Sequence, residues 1–585
     1  MRAPSPATMT ATRSHDFDAW AEGFAAEWIR RNPQAATRAQ YFSGDEADAL
    51  DRRLALTDAY GSTFGKRAAD EYADLAHRGL DELAAFPREA LGPVARVSAA
   101  VIERSLRDAV ANAQFAQHRF VFSQMTGLQS GLVHFMATTH PLKTSRDGEN
   151  YVARLAQMAP VLDEGIAEAA AAQAAGIVPP SFILERTIEQ IDGLLGVSPE
   201  RNVLAARCAQ LPVAARAEEE VRTSVLPAFA RVRDFLASQL PHATDAAGAW
   251  ALPRGEEFYA QALATLAGTA LSASEIHELG LREVGQIEAQ IDRVLGRLGY
   301  TSGSIPERIA QVAATLRPRS DPDPREEIVA QVGAVVDDAA VRAESMFNLM
   351  PASRCIVERE PAFSEKTAAA HYLTPAADGS RPGIYFIPLP VLDPMLPWLG
   401  AGLRSTAYHE AVPGHHFQLA LEQESPTLPY FRKRSAFGYR PEFGEGWALY
   451  AERLAAEAGW YDGDDIGLLG YLQAQLFRAR RLVVDTGLHA FRWTRQQAID
   501  YGIPVSEVER YVAWPGQACS YMLGQLRIVE IRERARAALG DAFSLMAFHD
   551  VVLSGGTMPL DLLETEVDRW ARGAGSVSHQ GKPIM

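Results

Sequence analysis

HEAVPGHH, residues 409–416, is the stretch on which the reading of this chain turns. An H-E-x-x-H motif sets two histidines four residues apart on one helix face, so that both imidazoles reach one zinc ion and the glutamate faces the metal's water. Here Pro413 stands four residues after His409. His415 at i+6 and His416 at i+7 would, on a regular helix, point roughly 120° away and sit roughly 10 Å further along, respectively. A regular helix is not expected, because Pro413 has no N–H to donate and Gly414 accepts conformations closed to other residues. A bulge absorbing two extra residues brings His415 to the place of the missing histidine. The motif then reads H-E-x4-H, with His409 and His415 as ligands, Glu410 as base, and His416 as a neighbour able to hydrogen-bond or contact substrate. The competing reading is a helix ending at Val412, a Pro-Gly turn and three histidines on a polar rim.

A third ligand is sought downstream, where RPEFGEGWALYAERLAAE (440–457) offers Glu442, Glu445 and Glu452. Glu445 is preferred, since it follows Gly444 at the start of an apolar-periodic helix and lies 30 residues after His415. It could instead be a first-turn carboxylate favoured by the helix dipole. Glu452, two turns on, reads as support for a ligand histidine or as the partner of an arginine.

Around this motif the chain is 585 residues long, enough for a large helical enzyme or several domains. Its net charge of −16 argues against nucleic-acid and anionic-membrane partners, which leaves small molecules, peptides and proteins. Cys208, Cys355 and Cys519 form neither a CxxC pair nor an even framework, in keeping with a reducing cytoplasm. No apolar run suggests a signal or membrane span.

From Phe17 to about Met350 apolar residues recur at helical spacing, with breaks at VPPSF (178–182), TSGSIPER (301–308) and LRPRSDPDPREE (316–327). Between about 354 and 390, CIVE, AAHYL and GIYFIPLP predict a small sheet or hairpin, after which helices resume. The expected organisation is a disordered end (1–14), a helical lobe (15–350), a catalytic region (351–572) forming one continuous unit with that lobe, and a disordered tail (573–585).

YHEAVPGHHFQ (408–418), FGEGWALYAE (443–452), RLVVDTGLHAFRWT (481–494) and WPGQACSYMLGQ (514–525) resemble, in order, the bacterial family catalogued as domain of unknown function 885. These pieces cover roughly the C-terminal 200 residues, and the preceding RPGIYFI is in keeping. The resemblance groups the chain with zincin-like metallopeptidases. It implies a mainly α, two-lobed helical fold of the glutamate-zincin type with a deep cleft, and His409, His415 and Glu445 as ligands to one Zn2+ per chain.

Zinc peptidases also need donors for the oxyanion. Tyr521 is the first candidate, with Gln517 at i−4 on the same potential helix face; a core tyrosine is the alternative. Asp485 and His489, also four apart, could form a carboxylate–histidine pair for oxyanion or substrate, or a buried structural pair. Arg480 could receive a substrate carboxylate, although Arg478, Arg480 and Arg481 together suggest a solvated face. The strand at 383–387 could take an extended peptide by edge addition, unless it lies inside the sheet. The expected activity is hydrolysis of peptide or related amide bonds, with short peptides favoured over folded proteins by the restricted cleft that the resemblance implies. A hydrolase or lyase acting on a non-peptide metabolite, or a binding scaffold with a vestigial site, are the alternatives.

Overall fold

Several helices begin where the sequence supplies caps. Thr144, Ser272 and Ser304 each accept a bond from the backbone N–H three residues on, while Asp147, Glu275 and Glu307 return one to the cap, starting the helices Ser145–Ala174, Ala273–Arg297 and Ile305–Thr315. Two of the expected breaks thus coincide with helix starts, at Ser181 and Ile305. At the third, helix stops at Thr315 and resumes at Arg325. The computed structural model describes residues 6–54, 64–316, 325–361, 365, 369–376, 379, 381–389 and 396–578. Helix already runs from Pro6 to Arg30, inside the segment expected to be disordered, and the last helix reaches Ser578; residues 1–5 and 579–585 lie outside the described residues.

The chain divides into two compact units, and not at a single boundary near residue 350. The first comprises 1–265, 429–438 and 485–516; the second comprises 266–428, 439–484 and 517–585. Two apolar clusters fill the first unit, one around Tyr151, Leu155, Met158 and Phe229, the other around Phe17, Phe24, Ile102 and Leu106. Phe431, from a much later part of the chain, belongs to the second cluster.

The second unit holds the expected sheet, with three strands: β1 (Cys355–Arg359), β2 (His371–Leu373) and β3 (Gly383–Ile387), in the order β1-β3-β2. β3 runs parallel to β1 and antiparallel to β2, pairing Tyr385 with Val357 and Tyr372. Because β3 is hydrogen-bonded on both edges, the GIYFI strand has no edge to offer a peptide, and of the two alternatives the interior strand is the one observed. Helix Pro441–Glu457 is buried nearly all round, including Trp447, Leu449 and Tyr450, as a helix without a solvent face must be. It crosses helix Ser520–Leu539 where Gly446 meets Gly524; a Cβ on Gly446 would lie 2.7 Å from the Gly524 backbone. Among the described residues no helix is long and apolar enough to cross a membrane.

Candidate metal centre

The HEAVPGHH segment breaks its helix instead of bulging it. Helix Leu396–Glu410 stops at the glutamate, residues 411–414 form a turn with a cis Val412–Pro413 peptide, and a new helix, His415–Glu424, begins. The turn packs so tightly that a Cβ on Gly414 would lie 1.8 Å from the His409 carbonyl oxygen and 2.5 Å from that of Tyr408. Trp447 Nε1 donates to the Pro413 carbonyl at 2.9 Å, tying the turn to helix Pro441–Glu457. The break thus brings together the two histidines that the bulge was expected to align, with ring centroids 4.9 Å apart and planes at 88°.

Glu445 completes the group. Its Oε2 lies 3.4 Å from Nε2 of His409 and 3.4 Å from Nε2 of His415, and one donor atom from each of the three falls within 4.8 Å of the others. Charge-assisted N–H···O bonds are normally about 2.7–2.9 Å, so 3.4 Å is long for an ion pair. Two ligand atoms about 2.05 Å from a shared tetrahedral centre lie about 3.3 Å apart. Two imidazoles and one carboxylate with that spacing fit a zinc ion. Gly444 and Gly446 flank Glu445: the second permits the helix crossing, while a Cβ on the first would lie 2.3 Å from the Tyr439 hydroxyl. That hydroxyl donates to Glu445 Oε1 at 3.1 Å, although Tyr439 as a whole residue is 49 % exposed.

Behind the histidines sits Glu452, fully buried. Its carboxylate accepts from His409 Nδ1 at 2.8 Å and from Ser405 Oγ at 2.5 Å, and Arg478 Nη2 lies 3.4 Å away. Ser405 and His409 are one helical turn apart, so one carboxylate reaches both. Both roles expected of Glu452, histidine support and arginine pairing, are present. By fixing Nδ1 it turns Nε2 of His409 towards Glu445. Burial alone would lower the His409 pKa, but the carboxylates of Glu445 and Glu452 raise it to about 10. Burial likewise raises Glu445, and the two histidines more than offset this, holding its carboxyl well below the usual range. Glu410 is buried and its pKa is raised, chiefly by that burial, against the lowering effect of His409 and His415.

Residues 51–567 match the model of a bacterial protein family of unknown function, DUF885. The chain belongs to that family. A crystal structure described as "the putative lipoprotein from Colwellia psychrerythraea" aligns with a TM-score of 0.85 at 29 % identity, over 94 % of this chain and 99 % of that one. Another, described as "a putative lipoprotein of unknown function from Shewanella oneidensis", aligns with a TM-score of 0.68 at 18 % identity, over 96 % of this chain and 99 % of that one, and shares the fold. Curated proteins include no match to the chain.

In this DUF885 chain the remaining expected residues separate. Tyr521 lies beside the centre: its ring stacks on His409 at 6.5 Å between centroids, and the Arg481 guanidinium sits 4.3 Å above it. Gln517 is buried in a one-turn 3-10 helix before Ser520, so it does not share an α-helical face with Tyr521. His416 bonds through Nδ1 to the Tyr372 hydroxyl at 2.9 Å, anchoring its helix to the sheet, and burial lowers its pKa to about 4. His489 belongs to the first unit, where Nδ1 accepts from the Ala249 N–H at 2.9 Å and Nε2 meets the Tyr511 carbonyl at 3.1 Å. With both ring nitrogens bonded to backbone, His489 is a structural residue and not an oxyanion donor. Asp485, expected to hold it, instead accepts from the Tyr259 hydroxyl at 2.6 Å and from the Gly516 N–H at 3.1 Å. Arg480 pairs with Glu288 at 3.2 Å, which removes it as an evident carboxylate receiver. Glu442 pairs with Arg440 at 3.1 Å and is not part of the donor cluster.

Tyr439 and Ser405 went unread in the sequence, as did Tyr385, and Arg478, read there with its neighbours as part of a solvated face, instead pairs with the buried Glu452. Tyr385 is fully buried on β3, and its hydroxyl has no hydrogen-bond partner among the described residues. Burial, with Glu410 and Cys355 nearby, raises its pKa well above the usual value. Only Ser405 carried a readable signal, since it lies one helical turn before His409.

Proposed function

We propose that this chain is a zinc-dependent hydrolase of peptide or related amide bonds, with a zincin-like catalytic region and one zinc ion held by His409, His415 and Glu445. The observation that carries the reading is the set of two buried imidazoles and one partly buried carboxylate, with a further buried carboxylate, Glu410, directly following His409. Bound zinc would supply Lewis-acid polarisation of the scissile carbonyl and of water. Glu410 accepts a proton at its carboxylate from the attacking water and later gives it to the leaving amine nitrogen. Tyr521, beside His409, is the donor proposed for the oxygen that becomes negative. Glu452 keeps His409 oriented throughout.

Short peptides are the proposed substrates, and the three free thiols suit the cytoplasm as the proposed compartment. Elemental mass spectrometry should find about one zinc per chain in wild type and none in His415→Ala. Glu410→Gln should retain the metal and lose turnover on a panel of short peptides with free and blocked termini. A wild type that takes up no zinc when supplied with it would end the hydrolase reading in favour of a scaffold. Activity confined to amidated or acylated metabolites would move the substrate class.

A further inference from the structure

The two oxygens of Glu445 have different neighbours. Oε2 faces both histidine Nε2 atoms at 3.4 Å, whereas Oε1 accepts the Tyr439 hydroxyl at 3.1 Å. A carboxylate can give a metal one oxygen or two, and the choice decides how many positions the protein fills. We infer that Tyr439 is a positioning residue that fixes Glu445 as a one-oxygen ligand, so that the protein offers three donor atoms and not four. This rests on the zinc reading and sharpens it, because three protein ligands mark zinc sites that keep a position for water or substrate, whereas closed structural sites use four.

Three observations support a dedicated role for the phenol. Gly444 lies under it: a Cβ there would come within 2.3 Å of the hydroxyl oxygen and 2.6 Å of the ring, so the tyrosine can reach Glu445 only across a glycine. Tyr439 as a whole residue is half exposed, so it is not retained to fill a core. Glu452 bears on His409 as Tyr439 bears on Glu445, each holding the ligand atom that faces away from the cluster.

The test uses the full-length chain, metal-free and then loaded with zinc or with cobalt(II). Zinc affinity is measured by competition with a chromophoric chelator, cobalt coordination by its visible absorption, and folding by the thermal midpoint of the metal-free protein. Tyr439→Phe should bind zinc roughly 10- to 100-fold more weakly, alter the cobalt spectrum, and melt with the wild type when metal-free. Gly444→Ala, which keeps the phenol but pushes it from Glu445, should reproduce both metal effects. Wild-type zinc affinity and cobalt spectrum in Tyr439→Phe would overturn the inference while leaving the zinc site standing. Weaker binding accompanied by a lower metal-free midpoint would also overturn it, by showing a general structural role. A wild type that binds neither ion would sink the zinc reading, and this inference with it.

Discussion

Gly414→Ala should disable the metal centre without touching a ligand. The added Cβ would start 1.8 Å from the His409 carbonyl oxygen and 2.5 Å from the Tyr408 carbonyl oxygen. It would have to withdraw by about 1.6 Å to reach ordinary van der Waals contact. Both obstacles are backbone, so no side chain can swing aside. Overpacking costs about 1–3 kcal/mol in general, and a clash confined to backbone belongs at the upper end. If the turn relieves it by moving His415, about 3 kcal/mol corresponds to a roughly 100-fold loss of zinc affinity. The displacement argument agrees, because metal sites tolerate ligand errors of only about 0.2 Å, far less than the shift required. Gly402→Ala, on the His409 helix where a Cβ meets nothing among the described residues, is the control, and should leave zinc affinity intact while stabilising the fold by roughly 0.5–1 kcal/mol. Chelator competition on both variants decides the matter. Wild-type affinity in Gly414→Ala would show that the turn does not position His415, and the account of the broken helix would fall.

Glu452→Gln should weaken zinc roughly 10- to 100-fold in the same assay, since the amide keeps the volume but loses the charge facing Arg478 and the firm acceptor for His409; an unchanged constant would mean that His409 needs no such support. A pH effect should arise far from the ligands in sequence, at His489. Burial lowers its pKa to about 4, and its Nδ1 must stay unprotonated to accept from Ala249. Below its ordinary value near 6.5 the unfolded chain binds a proton that the folded chain refuses, so stability should fall between about pH 6.5 and pH 4, by up to roughly 3 kcal/mol from this group. Urea titrations across that window should show a shallower dependence in His489→Gln, and an equal slope would remove His489 as the cause.

The donor set was legible because it depends on residue type and short spacing: two histidines and a glutamate after a glycine can be recognised before their geometry is known. The way the chain joins them was not. A bulge and a break both absorb two residues between His409 and His415, and the choice lies in the turn's packing against Trp447. The Asp485–His489 reading failed for a related reason. Spacing of four shows that two side chains can meet, but here each has a competing partner more than 200 residues away, Tyr259 and Ala249. Tyr439 lies six residues before Glu445 across a helix start, a separation with no periodic signature. The sheet was visible from its β-branched and aromatic composition, yet which strand lies in the middle depends on pairing, so composition left open whether GIYFI was an edge or an interior strand. Caps at 144, 272 and 304 were local, and helix starts followed them closely.

The discontinuous first unit has a consequence for synthesis. Its opening 265 residues leave the ribosome long before residues 429–438 and 485–516, which supply Phe431 to its core and His489 as the partner of the Ala249 N–H. At roughly 5–20 residues per second, the last of these segments follows about 250 residues later, a delay of roughly 10–50 s. Throughout that interval the first unit lacks the two later segments that complete its core. Completion of the first unit's core is therefore timed by the translation of residue 516, well past the segment that carries the proposed metal ligands.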